Sequence, residues 1–221
     1  MDADFAIELG RDDPVLDFPW EDPAGDLAYV DVKRHPALLA KISEAEKFPE
    51  LREFLRTVNC ARSAVETAKC DAWATTELNA EEEVYGGSHK FASYVDAVFV
   101  AGLEACRALV LQSPLDQSSL SQSPLPQSAL RQSLIVHEQF SRKLVELLRR
   151  APEIQSAAEV CVRRCYFPRN GEVREGFYFT LYTSGYGNDE EGARRNWGVG
   201  LKLVGNAILQ LSVSGWVSGL E

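Results

Sequence analysis

The sequence lacks the residue patterns of the common metal and phosphate sites. Its three histidines stand on separate segments and form no His-x-x-x-His or His-Glu-x-x-His pair. The cysteines include no CxxC pair, and no glycine-rich loop carrying a lysine follows a predicted strand. We therefore expect no metal, no cofactor and no catalytic motif.

The cysteines also lack the spacing that disulfides need. Cys161 and Cys165 would lie about 13 Å apart on one strand, and Cys60 and Cys70 about 15 Å apart along one helix. Both separations exceed disulfide reach, and the total of five is odd. The N-terminal residues MDADFAIELG have neither a basic start nor a hydrophobic signal core. These features predict a reduced, cytoplasmic protein.

Basic residues are scarce where the chain is most acidic. The net charge is -10, and Arg11 is the one base within residues 1–31. That segment contains ten acids: Asp2, Asp4, Glu8, Asp12, Asp13, Asp17, Glu21, Asp22, Asp26 and Asp31. Binding of nucleic acid requires a basic face that neutralises phosphates, and none is apparent. This composition argues against a nucleic-acid partner and leaves open a protein partner.

The longest apolar stretch, KFASYVDAVFVAGLEACRALVL, predicts a central buried helix over residues 90–111. At helical spacing its polar residues, with Asp96 and Glu104 among them, fall on one narrow stripe. The helix could reach across a bilayer, but Asp96, Glu104 and Arg107 would each cost a few kcal/mol there. We therefore expect a globular core and no membrane contact.

The N-terminal part predicts two strands and an irregular arm between them. The strands are expected at Phe5–Leu9 and Leu27–Lys33, where apolar and β-branched residues alternate. Three prolines interrupt the acidic arm that joins them. Phe18 and Trp20 in the arm are too apolar to remain in solvent. They either anchor the arm on the core of the same chain or dock on a basic partner.

Two helices are predicted after the second strand. Pro36 suits the first turn of a helix that runs to about Ala45. The next begins at Pro49, and its apolar stripe keeps helical register to Ala72. Residues 74–88 are polar and predict a loop with one helical turn.

Five successive copies of one pentapeptide begin at Gln112, namely QSPLD, QSSLS, QSPLP, QSALR and QSLIV, and the first four, residues 112–131, fit the pattern QSxLx. A pentapeptide β-helix is rejected, because five copies form little more than one coil and such solenoids depend on stacking of several. The serine and proline content instead predicts a linker inside one domain that spans residues 1–221.

The C-terminal part gives the clearest β pattern. A helix from about Ala129 ends at Pro152, and a hairpin follows over Ala158–Phe167 and Gly176–Thr183. The segment after Asp189 fits a helix or a second hairpin. Its acidic start and its apolar stripe favour the helix.

Two groups of residues could form a site, although neither is a catalytic motif. The first is Asp96 with Glu104, which would lie about 12 Å apart on the central helix, too far to act on one bond. The second is the hairpin face of Tyr178 and Tyr182, with Arg164 and Tyr166 expected beside it on the neighbouring strand. Tyrosine next to arginine is typical of binding surfaces. For both groups an ordinary structural role is the competing interpretation.

Together these patterns predict an α+β fold. A small antiparallel sheet, made of the N-terminal strands and the C-terminal hairpin, would pack against helices arranged around the central helix 90–111. Two functions remain open. One is a non-enzymatic protein-interaction or adaptor protein. The other is an enzyme or small-molecule-binding domain with a pocket between the helix layer and the sheet. The sequence resolves neither the oligomeric state nor the partner.

Overall fold

A computed structural model describes residues 1–80, 82–100, 127–169 and 172–214. Its centre is a six-stranded mixed sheet in the order β1-β5-β6-β4-β3, with β2 also paired to β5. The strands are β1 Asp2–Glu8, β2 Val15–Asp17, β3 Val65–Thr75, β4 His89–Phe99, β5 Ser156–Arg169 and β6 Glu172–Gly187. β1 and β2 run parallel to β5, and the other pairs are antiparallel.

The helices lie mainly before β3 and around the C-terminal hairpin. They are α1 Ser43–Lys47, α2 Pro49–Val58, α3 Gln127–Arg149 and α4 Glu190–Val213, with short 3-10 helices at Pro36–Lys41 and Glu82–Tyr85. Asp189 caps α4, because its side chain accepts a 2.7 Å hydrogen bond from the Gly192 amide. None of the described helices combines the length and apolarity that a membrane span requires.

Three of these helices, α2, α3 and α4, cover one face of the sheet. Phe91 of β4, Phe179 of β6 and Trp197 of α4 are each at most 2% exposed and belong to one apolar cluster. Phe140 of α3 contacts Phe179 with a centroid distance of 5.4 Å. Alternation along a strand sends every second side chain to this face, so the main core lies between the sheet and the helices.

The predicted fold class is therefore wrong in its details, although the fold is α+β overall. The sheet is large and mixed, not small and antiparallel. The predicted central helix is also wrong over residues 89–99, which form β4; residues 101–111, with Glu104, lie outside the described residues. Neighbours pair with β4 on both sides, and its two faces are largely covered. A strand in that position reads as a continuous apolar run that resembles a buried helix.

Two further boundaries differ from the predictions. The helix from Pro49 ends at Val58, and residues 65–75 form the edge strand β3. The predicted strand Leu27–Lys33 is absent from the described structure, where Ala28 makes a single bridge to Glu21. The hairpin and the final helix are found with somewhat longer bounds, and the first strand begins at Asp2 and ends at Glu8, one residue before the predicted end. Residues 112–126 of the predicted linker are not described, and helix α3 begins at Gln127.

The segment that we call the arm, residues 10–30, crosses the sheet on the side opposite the helices. Leu16 and Phe18 are buried there in a second apolar cluster with Ala68 and Tyr178. The Trp20 indole N–H donates a 2.6 Å hydrogen bond to the Ala68 carbonyl. The arm is therefore anchored on its own chain, which is one of the two interpretations from sequence.

Candidate functional site

The sheet surface opposite the helices is only half covered by the arm. We call the uncovered remainder the open face. Its side chains come from β3, β4, β6 and β5, with Asp2, Asp4 and Glu8 of β1 at its edge. Register fixes their positions: Tyr94 pairs with Asp71 on one side and with Tyr182 on the other, and Tyr182 pairs with Glu159. The next row is Trp73, Ala92, Ser184 and Ala157. Each row crosses the sheet at right angles to the strands.

Three aromatic rings form the centre of the open face. Trp73 and Tyr182 both lie 6.4 Å from Tyr94, measured between ring centroids. Trp73 is 39% exposed, which is high for an indole, and the two tyrosines are half-buried. Aromatic rings held on adjacent strands give a rigid, amphipathic contact surface.

A polar network lies beside the rings. The Thr180 hydroxyl donates a 2.6 Å hydrogen bond to Asp96 and accepts one of 2.9 Å from Arg163. Arg163 also donates to the Tyr182 hydroxyl at 3.0 Å and forms an ion pair with Glu8 at 2.6 Å. Asp96 and Arg163 are each 7% exposed. The network therefore stabilises the position of Tyr182, because a buried guanidinium with several acceptors has little freedom to move.

Burial raises the pKa of Asp96 above its ordinary value. The hydrogen bond from Thr180 and the charges of Lys69 and Arg163 offset part of this rise. Asp96 is an internal member of the network and not, as expected from sequence, part of a wet helical stripe. Its predicted companion Glu104 lies outside the described residues, so the structure does not test that pair.

The predicted hairpin surface is found with one register correction. Tyr178 and Tyr182 do share a face, but Arg163, not Arg164, lies opposite Tyr178. Arg164 pairs with Phe177 on the helix side and donates to the Leu9 carbonyl, and Tyr166 shares that parity. A shift of one residue in strand pairing moves every side chain to the other face.

The remaining predicted site residues are occupied by contacts within the chain. Phe18 is 5% exposed and packs on Tyr29, and Trp20 is held by Ala68. Tyr178 is 2% exposed, beneath the arm. A binding role for these three residues stays a prediction without support from their exposure.

Sequence reasoning missed four residues of the open face, Lys69, Trp73, Glu159 and Arg163. Lys69 lies in a segment predicted to be helical and Trp73 directly follows it. Arg163 is one place before the predicted Arg164, and Glu159 is four places before Arg163 on the same face of β5. Along β5, Glu159, Cys161 and Arg163 occupy every second position, as Tyr178, Thr180 and Tyr182 do along the antiparallel strand β6. This spacing could have identified Glu159 and Arg163 from the sequence.

Two cavities adjoin the open face. The first, beneath the arm and lined by Trp20, Thr67, Lys69 and Tyr94, has about 190 Å³, less than the roughly 300 Å³ at which ligand pockets begin. The second has about 500 Å³. Its lining includes Trp73, Ala92, Ala157, Glu159, Tyr182, Ser184 and Tyr186. We call it the face cavity, and its volume suits a ligand or a large side chain.

No arrangement in the described residues points to a metal or a reactive thiol. These residues contain no group of three or more His, Cys, Asp and Glu side chains suited to a metal ion. Cys60, Cys70, Cys161 and Cys165 are free, and Cys106 is not described. Burial raises the pKa of the Cys161 thiol to about 12, so this thiol is protonated at neutral pH.

Comparison with known proteins adds no family to these observations. The chain matches no protein-family model, no curated protein and no solved structure.

Proposed function

We propose that this chain is a protein-interaction domain that holds a segment of a partner protein on the open face of its sheet. The observation that carries the proposal is the group of three aromatic rings, Trp73, Tyr94 and Tyr182, which contact one another and are partly exposed on the open face. Large aromatic side chains left in solvent on a rigid sheet are typical of interfaces.

The way in which the arm covers the other half of the face supports the same function. Phe18 and Trp20 belong to an apolar cluster that includes the small residues Ala68 and Cys165 of the sheet. The uncovered half repeats this arrangement, because Ala92, Ala157 and Ser184 lie between larger side chains. A partner segment would therefore meet a surface of the kind that the chain's own arm already uses.

The alternative, an enzyme or binding domain with a pocket between helices and sheet, has less support. Phe91, Phe179 and Trp197 fill that space in the described structure. Asp96, Thr180 and Arg163 bind one another, and Glu8 pairs with Arg163, so these side chains hold the sheet together. The concave sites that adjoin the open face are the two cavities described above.

A display library of random peptides, selected on the full chain, tests the proposal. Peptides recovered on wild-type protein are titrated against Trp73→Ala and Tyr182→Ala, with circular dichroism as a check of folding. We expect affinity to fall about tenfold or more for both variants, since central aromatic residues dominate binding energy. The matched control is Val199→Ala, which removes an exposed apolar side chain (43% exposed) on α4.

Changes in nuclear magnetic resonance chemical shifts on peptide addition map the binding surface. The proposal requires the largest shifts at the amides of β3, β4 and β6 around Trp73, Tyr94 and Tyr182. Peptides that shift helix resonances instead, or that bind Trp73→Ala as tightly as wild type, would contradict it.

A further inference from the structure

The charge of the open face identifies the chemistry of its partner. Its strands carry five carboxylates with some exposure, those of Asp2, Asp4, Glu8, Asp71 and Glu159, against the three cations Lys69, Lys90 and Arg163. Arg163 is neutralised by Glu8. No described cation lies within ion-pair distance of Asp2, Asp71 or Glu159. The surface around the three aromatic rings is therefore net negative and would attract positive charge.

Cations of the chain already form cation–π contacts with aromatic rings at this face. The Lys69 ammonium lies 5.1 Å from the Trp20 ring centroid and 5.9 Å from that of Tyr94. The Arg163 guanidinium lies 5.5 Å from the Tyr182 centroid. Attraction between a cation and the face of an aromatic ring is strongest with tryptophan. Trp73, the most exposed of these rings, has no cation of its own in the described structure.

The face cavity joins these two features. Its lining includes the aromatic rings of Trp73 and Tyr182 and the carboxylates of Asp4 and Glu159. The small residues Ala92, Ala157 and Ser184 also line it. The two cations that line it are already paired, Lys90 with Glu82 and Arg149 with Asp4 at 3.5 Å. A long aliphatic stem with a positive end fits such a site, because the stem packs on the rings and the charge meets carboxylate.

We infer that the open face selects a basic segment of its partner and that the face cavity takes a lysine or arginine side chain. This inference rests on the proposed function and adds the chemistry of the occupant. The aromatic rings supply contact area, and Glu159 with its acidic neighbours supplies selection for positive charge.

Two peptides that differ only in charge provide the test. One is a short peptide of alternating lysine and threonine, and the other has every lysine acetylated, which keeps the stem and removes the charge. Both are titrated by fluorescence anisotropy against the full chain at low and raised salt. We expect the acetylated peptide to bind about tenfold more weakly, and the affinity of the lysine peptide to fall as salt rises.

Matched variants locate the effect. Glu159→Gln removes one charge from the face cavity and should weaken the lysine peptide about threefold, with little change for the acetylated one. Glu53→Gln removes the same charge from α2, where Glu53 pairs with Arg56 away from the open face, and should change neither. Trp73→Ala should weaken both peptides.

The outcomes distinguish a failure of this inference from a failure of the proposed function. Equal binding of the two peptides, lost in Trp73→Ala, would overturn the selection for positive charge and leave the interaction face in place. Equal effects of Glu159→Gln and Glu53→Gln would also overturn it. Absence of any binding that depends on Trp73 would overturn the proposed function as well.

Discussion

The hydroxyl of Thr180 donates a hydrogen bond of 2.6 Å to the carboxylate of Asp96 on the neighbouring strand. The same oxygen accepts from Arg163, so one threonine links an acid of β4 to a base of β5 across the middle of the sheet. All three side chains are at most 7% exposed. The link keeps two buried charged groups satisfied without direct contact between them.

Replacing Thr180 by valine should therefore destabilise the protein by roughly 1–3 kcal/mol at neutral pH, because Asp96 loses its donor while remaining buried. The loss of the donor raises the pKa of Asp96 further. The deficit should thus shrink at acidic pH, where Asp96 is protonated, and grow as pH rises through that pKa. Urea unfolding across this pH range measures it.

Thr183 offers the matched control for that substitution. It is 1% exposed on the same strand, and its hydroxyl has no hydrogen-bond partner. Thr183→Val should leave stability unchanged or raise it, because a buried unpaired hydroxyl is replaced by a methyl group. Equal losses in Thr180→Val and Thr183→Val would show that the Asp96 contact contributes nothing.

His137 should make the fold sensitive to mild acid. Its Nδ1–H donates a 2.7 Å hydrogen bond to the Ser133 carbonyl, and rings of Phe99 and Phe177 surround it. Burial lowers the pKa of His137 from 6.5 to about 4. The unfolded chain therefore binds a proton between these values while the folded chain does not, so stability is lost as pH falls through that range.

By pH 4 this effect should cost wild-type protein about 3 kcal/mol relative to His137→Gln, which cannot be protonated. The measurement is the difference in unfolding free energy between the two proteins at several pH values, which cancels the contribution of the carboxylates. A difference that stays constant from pH 7 to pH 4 would show that His137 is not buried as a neutral ring.

Gly185 should tolerate no side chain, because α4 crosses β6 at this point. A Cβ there would lie 2.0 Å from the Trp197 amide nitrogen and 2.4 Å from the Ala193 carbonyl oxygen. Both are backbone atoms of a packed helix and cannot move aside separately. Gly185→Ala should cost about 2 kcal/mol or more in thermal or urea unfolding.

Gly198 on α4 is the control for that substitution. A Cβ at Gly198 meets only the flexible side chain of Glu50 at 2.9 Å. Alanine also favours the helix by nearly 1 kcal/mol over glycine, so Gly198→Ala should be neutral or stabilising. A mild effect of Gly185→Ala would mean that α4 sits farther from the sheet.

In each of the two outer strands, an aspartate side chain accepts a hydrogen bond from the backbone amide of the next residue. The Phe5 amide of β1 donates to the Asp4 carboxylate at 2.8 Å, and the Ala72 amide of β3 donates to Asp71 at 2.7 Å. Each aspartate thereby satisfies a backbone donor that an incoming strand would need. The double variant Asp4→Ala/Asp71→Ala should self-associate at lower concentration than wild type, as measured by analytical ultracentrifugation.

Loss of charge alone would also favour association, so the control is Asp12→Ala/Asp26→Ala. Both of those residues are exposed and lie in the arm, outside the strands. If the two double variants associate equally, net charge and not edge protection is responsible.

The sequence by itself determined the elements whose pattern is local. Alternation from Phe177 to Tyr182 predicts a strand with one apolar face, and Asp189 before an acidic turn predicts the start of α4. The prolines of the arm limit its strand pairing to the three residues of β2, and its aromatic residues require cover. Each of these signals depends on residues within a few positions of one another.

Only the tertiary structure decided the identity of residues 89–99 and the composition of the open face. A strand buried between two others has no period of two to distinguish it from a buried helix, so β4 becomes recognisable only when β3 and β6 pair with it. Register is likewise a property of two strands. It places Arg163 and not Arg164 across from Tyr178, because pairing, and not the order of residues, selects the face on which each side chain lies.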